Sequence, residues 1–173
     1  RTKGVEAQIL SNGLSLNDEM LRSYKEAGLG TIYLHIDSLQ RRPDAKKGIS
    51  EAGLNPLRRK IGAMVNRNGI NCALSLTLHQ ENLPQLPDVV EFVLTNPDFY
   101  RLLVTLCTDF RSIGAELNPD KEAKGTGILE EGLEAQEVSN AEVKRLLAEK
   151  CGMKPFGYVA SSHDLREERW LLY

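Results

Sequence analysis

The stretch QILSNGLSLNDEMLRSYKEAGLGTIYLHIDS, residues 8–38, decides the fold class of this chain. Apolar and β-branched residues open and close it, and between them apolar residues recur at helical intervals, at Leu16, Met20, Leu21, Tyr24 and Ala27. The turn Ser11-Asn12-Gly13 and the pair Gly28 and Gly30 separate the three segments. Ser15 precedes Asp18 at the spacing of a capping box. The stretch therefore predicts strand, helix and strand.

Alternating side chains give the second and third predicted strands two different faces. Thr31–Asp37 is rich in β-forming residues, and Cys72–Leu78 has the same pattern. One face is apolar and carries Ile32, Leu34 and Ile36 on the second strand and Leu74, Leu76 and Leu78 on the third. The other face is polar and carries Tyr33, His35, Asp37, Ser75, Thr77 and, just past the third strand, His79.

The order of elements predicts an α/β fold with a parallel sheet. Val5–Leu10 is the first predicted strand and Phe99–Leu106 the fourth. Further helices start at Asn55-Pro56 and at Pro87, and the second of these is predicted to bury Val89, Val90, Val93 and Leu94. Central strands of a doubly wound sheet are apolar on both faces. The alternation therefore favours a partial (βα) TIM-like barrel, in which the polar face lines an interior that holds a ligand. The predicted divisions are this barrel (1–111), an acidic glycine-containing loop (112–138) and a carboxyl-terminal helix and extension (139–173).

Composition excludes several classes of protein. The 173 residues carry a formal net charge of −2, which gives no electrostatic case for binding nucleic acid. No run reaches the roughly 18 apolar residues of a membrane span. The three cysteines, Cys72, Cys107 and Cys151, lack the spacing of a metal or disulfide framework, so free thiols in the cytoplasm are expected. Because the chain starts at Arg1 rather than Met, we expect it to be a segment of a longer protein.

The polar face predicts a ligand site. Parallel sheets bind ligands at the carboxyl ends of their strands, where His35, Asp37 and His79 fall. A pocket for a polar or charged small molecule is one interpretation. A hydrogen-bond network that is satisfied within the protein is the other.

Four short motifs in order resemble the radical S-adenosylmethionine superfamily. They are SNG after the first strand, AGLG at the end of the first helix, IYLHIDS in the second strand, and NRNG before the stretch NGINCALSLTLHQENLPQLPDVVEFVL. The resemblance covers about residues 5–110 and rests on order and spacing. It implies that the four strands are strands three to six of that family's catalytic barrel.

The resemblance implies a cofactor site. Ser11 and Asn12 match the turn near the family's cofactor pocket, and Asp37 matches an aspartate of the next strand. His35 stands where a serine is common, so it would contact either cofactor or substrate. With Ser75, Thr77 and His79 on the following strand, these residues are the expected S-adenosylmethionine contacts.

The family's Cys-x-x-x-Cys-x-x-Cys loop, which holds a [4Fe–4S] cluster, is absent from this sequence. Its ligands are expected upstream of Arg1, and without them the segment alone is expected to be inactive. In the intact enzyme the expected chemistry is hydrogen abstraction from an unactivated carbon of an unknown substrate.

Two other functions stay open at this point. A metal-dependent barrel enzyme would use His35, Asp37 and His79 as two imidazoles and one carboxylate around iron, manganese or zinc. A scaffold without catalysis would fill the barrel interior with its own side chains. The loop 38–54 is expected to be mobile, and its basic residues would either stay solvated or meet an anionic substrate: Arg41, Arg42, Lys46 and Lys47.

Overall fold

The computed structural model describes residues 4–40, 42–107, 138–160 and 168–173. For residues 168 and 169 it describes the backbone only. The chain divides into two units. The first comprises Arg1–Thr77 and Pro84–Thr105, and the second comprises Leu78–Leu83 and Leu106–Tyr173. Within the described residues, no helix combines the length and apolarity that crossing a membrane requires.

Strands and helices alternate through the part of the chain that holds the first unit. The strands are β1 (Ala7–Ser11), β2 (Leu29–His35), β3 (Asn71–Leu78) and β4 (Leu102–Leu106). The helices between them are α1 (Asp18–Glu26), α2 (Asn55–Arg67) and α3 (Leu86–Thr95). The strands form one sheet in the order β1-β2-β3-β4.

The strands of this sheet run parallel. The pairs β1–β2 and β2–β3 are parallel in register, with Ile9 beside Ile32 and Leu34 beside Leu74. The backbone before β4 continues the pattern, since the Tyr100 amide donates to the Cys72 carbonyl and the Leu74 amide to the Arg101 carbonyl. The predicted α/β class with a parallel sheet is confirmed.

The core lies on the predicted apolar face. Its six predicted residues, Ile32, Leu34, Ile36, Leu74, Leu76 and Leu78, are all 0% exposed. On α3, however, the prediction that Leu94 points inward is wrong, because Leu94 is 72% exposed while Phe92 is buried. The buried side of α3 includes Phe92, and the centroid of its ring lies 5.7 Å from that of the Phe99 ring.

The first turn and helix differ from the sequence prediction at the cap. Asn17, not Ser15, caps α1, and its side chain accepts a hydrogen bond from the Met20 amide at 2.9 Å. Gly13 makes the preceding turn with φ of 78°. A Cβ there would lie 2.9 Å from Leu34 Cδ1, so both the backbone conformation and the core packing require glycine at this position.

A buried ion pair fixes the segment between β2 and α2. Arg58 and Glu51 are both 0% exposed, and the Arg58 guanidinium is paired with the Glu51 carboxylate. Arg58 also donates to the Ile36 carbonyl at 2.7 Å, while Glu51 accepts from the Ser38 amide at 2.9 Å. The two ends of the predicted mobile loop are therefore held together by charged side chains.

The second unit contains a helix and a two-stranded sheet. Helix α4 (Asn140–Cys151) is the predicted carboxyl-terminal helix. A capping box between Ser139 and Glu142 begins it, and Gly152 ends it with φ of 65°. Strands β5 (Gly157–Ala160) and β6 (Glu168–Leu172) pair antiparallel. The predicted extension thus contains a pair of strands, and the predicted acidic loop lies outside the described residues up to position 137.

Candidate functional site

The polar side chains of β2 and β3 share one face of the parallel sheet. In the register of these strands, His35 lies beside Ser75 and Thr31 beside Asn71. Because side chains alternate across a strand, this face is opposite to the one that carries Leu34 and Leu74. We call this side of the sheet in the first unit the polar face.

A chain of hydrogen bonds joins three of the predicted site residues. His35 Nε2 lies 2.8 Å from Asp37 Oδ2 and 3.2 Å from Thr77 Oγ1. Thr77 Oγ1 lies 3.2 Å from Thr105 Oγ1, and the Thr105 hydroxyl donates to the Leu76 carbonyl at 3.3 Å. The fold therefore brings together side chains from β2, β3 and β4 near the carboxyl ends of these strands.

Asp37 is the buried end of this series of hydrogen bonds. It is 3% exposed, and its Oδ1 accepts from the amides of Leu39 and Gln40, each at 3.1 Å. Burial alone would raise the pKa of this carboxyl, but the hydrogen bond and charge of His35 and the two amides outweigh burial and lower the pKa below its ordinary value of 3.8. Asp37 is therefore ionised at neutral pH.

We expect Asp37 to contribute to stability only while it is ionised. Its pKa is lower in the folded chain than in the unfolded chain, so its contribution is present above the ordinary value of 3.8 and is lost as the pH falls through the lower folded value. In urea unfolding at pH 7, the Asp37→Asn variant should be less stable by about 1–3 kcal/mol.

Unfolding of the wild type and of Asp37→Asn at a series of pH values down to 3 checks this expectation. The difference between the two proteins should shrink as the pH falls below 4. A difference that stays constant across the series would show that the ionisation of Asp37 has no part in stability.

Ser11 and Asn12 form the turn at the end of β1. Ser11 Oγ accepts from the Gly13 amide and Asn12 Oδ1 from the Leu14 amide, each at 3.1 Å. The Asn12 carbonyl accepts from Arg42 Nη1 at 2.6 Å. Both predicted cofactor contacts therefore stabilise the turn through their side chains.

Arg42 is a buried residue and not part of a solvated basic loop. It is 7% exposed and pairs with Asp44 through two bonds of 3.0 Å. For Arg42 the expectation of a solvated side chain is wrong, because the side chain is buried and its charge is paired with Asp44. Lys46 and Lys47 are exposed, as expected, and Arg41 lies outside the described residues.

Ser75 and His79 complete the set of predicted site residues. Ser75 is 3% exposed on β3. His79 follows β3, belongs to the second unit and is half-buried, and its amide donates to Asn82 Oδ1 at 2.8 Å. The fold thus places Ser75 on the polar face of the first unit, while His79 lies in the second unit.

Thr105 was missed by sequence reasoning although it belongs to the polar hydrogen-bond chain. The signal was present, because Thr105 is the only polar residue in the strand LLVTL. A second polar group was also missed, at the amino ends of the strands, where Thr31 contacts Glu6 and Tyr100. Beside it, Arg101 donates to the Tyr33 hydroxyl at 2.9 Å.

The cysteines do not form a metal centre in the described ranges. Burial raises the pKa of the Cys72 thiol to about 12, so it stays protonated at neutral pH. The described ranges contain no group of three or more His, Cys, Asp or Glu side chains that could hold a metal ion. The metal site of His35, Asp37 and His79 stays a prediction; within the first unit, Asp37 is bonded to His35 and to backbone amides.

Comparison with known proteins gives one similarity that bears on function. The chain is 27% identical over 96 residues to Fe-coproporphyrin III synthase of Methanosarcina barkeri (strain Fusaro / DSM 804). The matched part is 54% of this chain but only 23% of that synthase, so the chain spans about a quarter of its relative. No family model matches the chain.

Proposed function

We propose that this chain is part of a radical S-adenosylmethionine enzyme and that the polar face of its sheet binds the cofactor. The observation that carries the proposal is the convergence of His35, Thr77 and Thr105 at the carboxyl ends of adjacent parallel strands. The order of motifs resembles that superfamily, and the similar synthase is a radical S-adenosylmethionine enzyme.

The strand order supports the barrel part of the proposal. Right-handed crossovers between sequential neighbours in the order β1-β2-β3-β4 place all helices on one face of a sheet. A doubly wound sheet instead reverses its strand order to cover both faces. The sheet is therefore proposed to be four adjacent strands of a (βα) barrel, with its polar face toward the interior.

The polar face offers groups that suit a nucleoside-bearing ligand. Hydroxyl and imidazole groups bind ribose and amino groups by direct hydrogen bonds. His35 and Thr77 are half-buried and reachable, whereas Asp37 is buried and acts through His35. Of the other predicted contacts in the first unit, Ser75 lies on the same face and Asn12 follows the end of β1, and both are proposed contacts, whereas Ser11 lies beside Leu34 on the opposite face. When bound, S-adenosylmethionine supplies the alkyl sulfonium that is cleaved in this class of enzymes.

The cysteines of this chain do not fit a [4Fe–4S] cluster. Such a cluster needs several thiolates within one small volume. Cys72 is 1% exposed and protonated, and the described residues hold no group of metal-binding side chains. We propose that cluster ligands come from residues outside this sequence and that the segment alone is inactive. We place the whole enzyme in the cytoplasm, where free thiols persist.

Binding of S-adenosylmethionine to the purified chain, measured by isothermal titration calorimetry, tests the proposal without depending on a cluster. We expect saturable binding to the wild type. Thr77→Val, which removes one hydroxyl at nearly constant volume, should weaken it by roughly threefold to tenfold, as the loss of one hydrogen bond predicts.

Thr95→Val is the matched control, because Thr95 lies on α3 and its hydroxyl bonds within its own helix. It should bind S-adenosylmethionine like the wild type. Absence of saturable binding to the wild type would contradict the cofactor assignment and favour the scaffold without catalysis. Equal loss in both threonine variants would place the binding site elsewhere.

A further inference from the structure

The hydrogen bonds around His35 determine which of its two ring nitrogens carries the proton. Nε2 lies 2.8 Å from Asp37 Oδ2, a distance that a carboxylate and an imidazole reach with a proton between them. Asp37 is ionised and has no proton to offer, so the proton belongs to Nε2. The first contact thus specifies the Nε2–H form of the ring.

The threonine hydroxyls give the same result independently. The Thr105 hydroxyl donates to the Leu76 carbonyl, so Thr105 Oγ1 must accept from the Thr77 hydroxyl. Thr77 Oγ1 then serves as an acceptor for His35 Nε2, which lies 3.2 Å away. Nε2–H is therefore shared between Asp37 and Thr77.

When the ring is neutral, this tautomer leaves Nδ1 as an unprotonated nitrogen. The described part of the chain provides Nδ1 with no hydrogen-bond partner, and the imidazole is 27% exposed. A partly exposed acceptor on β2 next to a buried carboxylate attracts an O–H or N–H donor. It repels a carboxylate or phosphate oxygen, because that oxygen would face a lone pair and the Asp37 charge.

We infer that His35 is a ligand-selecting residue whose Nδ1 accepts a hydrogen bond from a donor group of the bound molecule. Asp37 and Thr77 are its positioning residues. This inference rests on the proposed function for the identity of the bound molecule, but the tautomer of His35 is independent of it. S-adenosylmethionine carries suitable donors in its hydroxyl, amino and ammonium groups.

Substituting Asp37 by asparagine should reverse the tautomer. The Leu39 and Gln40 amides both donate to the position of Oδ1, so the amide oxygen of the new side chain must occupy it. Its NH2 group then faces His35 Nε2, which has to become the acceptor. The proton moves to Nδ1, and the ring now presents a donor to the ligand.

Nitrogen-15 NMR of the histidine side chains reads this change directly, without any ligand. The chain has three histidines, so the His35 signals are those that disappear in the His35→Asn variant. In spectra recorded where the ring is neutral, we expect an unprotonated Nδ1 in the wild type and a protonated Nδ1 in Asp37→Asn. A protonated Nδ1 in the neutral ring of the wild type would overturn the inference.

Titration with S-adenosylmethionine tests the role in binding. The wild type should show a shift of the Nδ1 resonance on binding, and Asp37→Asn should bind roughly tenfold more weakly, as a difference of about 1.4 kcal/mol requires. Binding that leaves the Nδ1 resonance unchanged and is equal in both proteins would overturn the inference while the proposed cofactor stands. Absence of any binding would refute the proposed cofactor and, with it, the role of His35 in selecting it, while the tautomer result would stand on its own.

Two further variants separate the two ring nitrogens. His35→Asn keeps a polar atom one bond from Cγ, as Nδ1 is, whereas His35→Gln keeps one at the distance of Nε2. We expect His35→Asn to retain more affinity for S-adenosylmethionine than His35→Gln. The reverse order would contradict a contact through Nδ1.

Discussion

Replacing Arg58 by methionine should destabilise the chain by about 3–5 kcal/mol, the usual cost of leaving a buried charge without its partner. The guanidinium and the Glu51 carboxylate are both 0% exposed. Arg58 also donates to the carbonyls of Ile36 and Glu51 and to Asn55 Oδ1. Methionine fills a similar volume, so the loss of charge and hydrogen bonds dominates. The free energy of unfolding, measured in urea, gives the effect.

Two comparisons make this prediction specific. The double variant Glu51→Gln/Arg58→Met should be more stable than Arg58→Met alone, because it removes the uncompensated carboxylate while the amide oxygen can still accept from the Ser38 amide. Arg67→Met, which breaks the exposed pair with Asp18, should change stability little. Equal effects at Arg58 and Arg67 would contradict the importance of burial.

Leu74→Ala should destabilise the chain by about 2–5 kcal/mol, since it removes a fully buried side chain and leaves a cavity. Leu74 is 0% exposed on the central strand β3 and lies beside Leu34 of β2. Close packing at this position allows little relaxation. Chemical denaturation should show a lower midpoint with an unchanged slope.

Leu10→Ala is the matched control on the same sheet. Leu10 lies beside Tyr33 in the register and is 63% exposed, so it is on the polar face. Its truncation should alter the free energy of unfolding by no more than about 0.5 kcal/mol. A large effect at Leu10 together with a small one at Leu74 would show that the two faces of the sheet have been exchanged.

The fold class could be read from sequence because the apolar pattern is local. Alternation in IYLHID and ALSLTL identified the buried face of β2 and β3, and glycines and prolines marked the ends of helices. The cap of α1 and one inward residue of α3 were each misplaced by two residues. Such errors are expected, because tertiary packing decides which of several neighbouring residues is used.

The candidate site was only partly predictable. The pairing of His35 with Asp37 follows from their i, i+2 spacing on one face, whereas the contact of Thr77 with Thr105 depends on the register of β3 and β4. The register of these two strands could not be predicted from the sequence. The burial of Arg42 was equally hidden, because its partner Asn12 lies 30 positions away.

One feature of the sequence indicates that Arg58 is buried. Arg58 falls on the same helical stripe as Ile61 and Val65, where a charged residue is unexpected. A charge on a buried stripe predicts a buried partner. That partner, Glu51, lay in a segment interpreted as a mobile loop, so the pair was not anticipated.

The ion pair between Arg58 and Glu51 and the hydrogen bond from Ser38 to Glu51 affect which changes in loop length the fold tolerates. Because these contacts join the two ends of the segment, the length of chain between them can change without moving His35 or Asp37. Doubling the length of a flexible loop raises the entropic free-energy cost of closing it by only about 0.6 kcal/mol. Homologues should therefore differ most in length around the exposed residues 46–48, while retaining the acidic and basic partners at the ends.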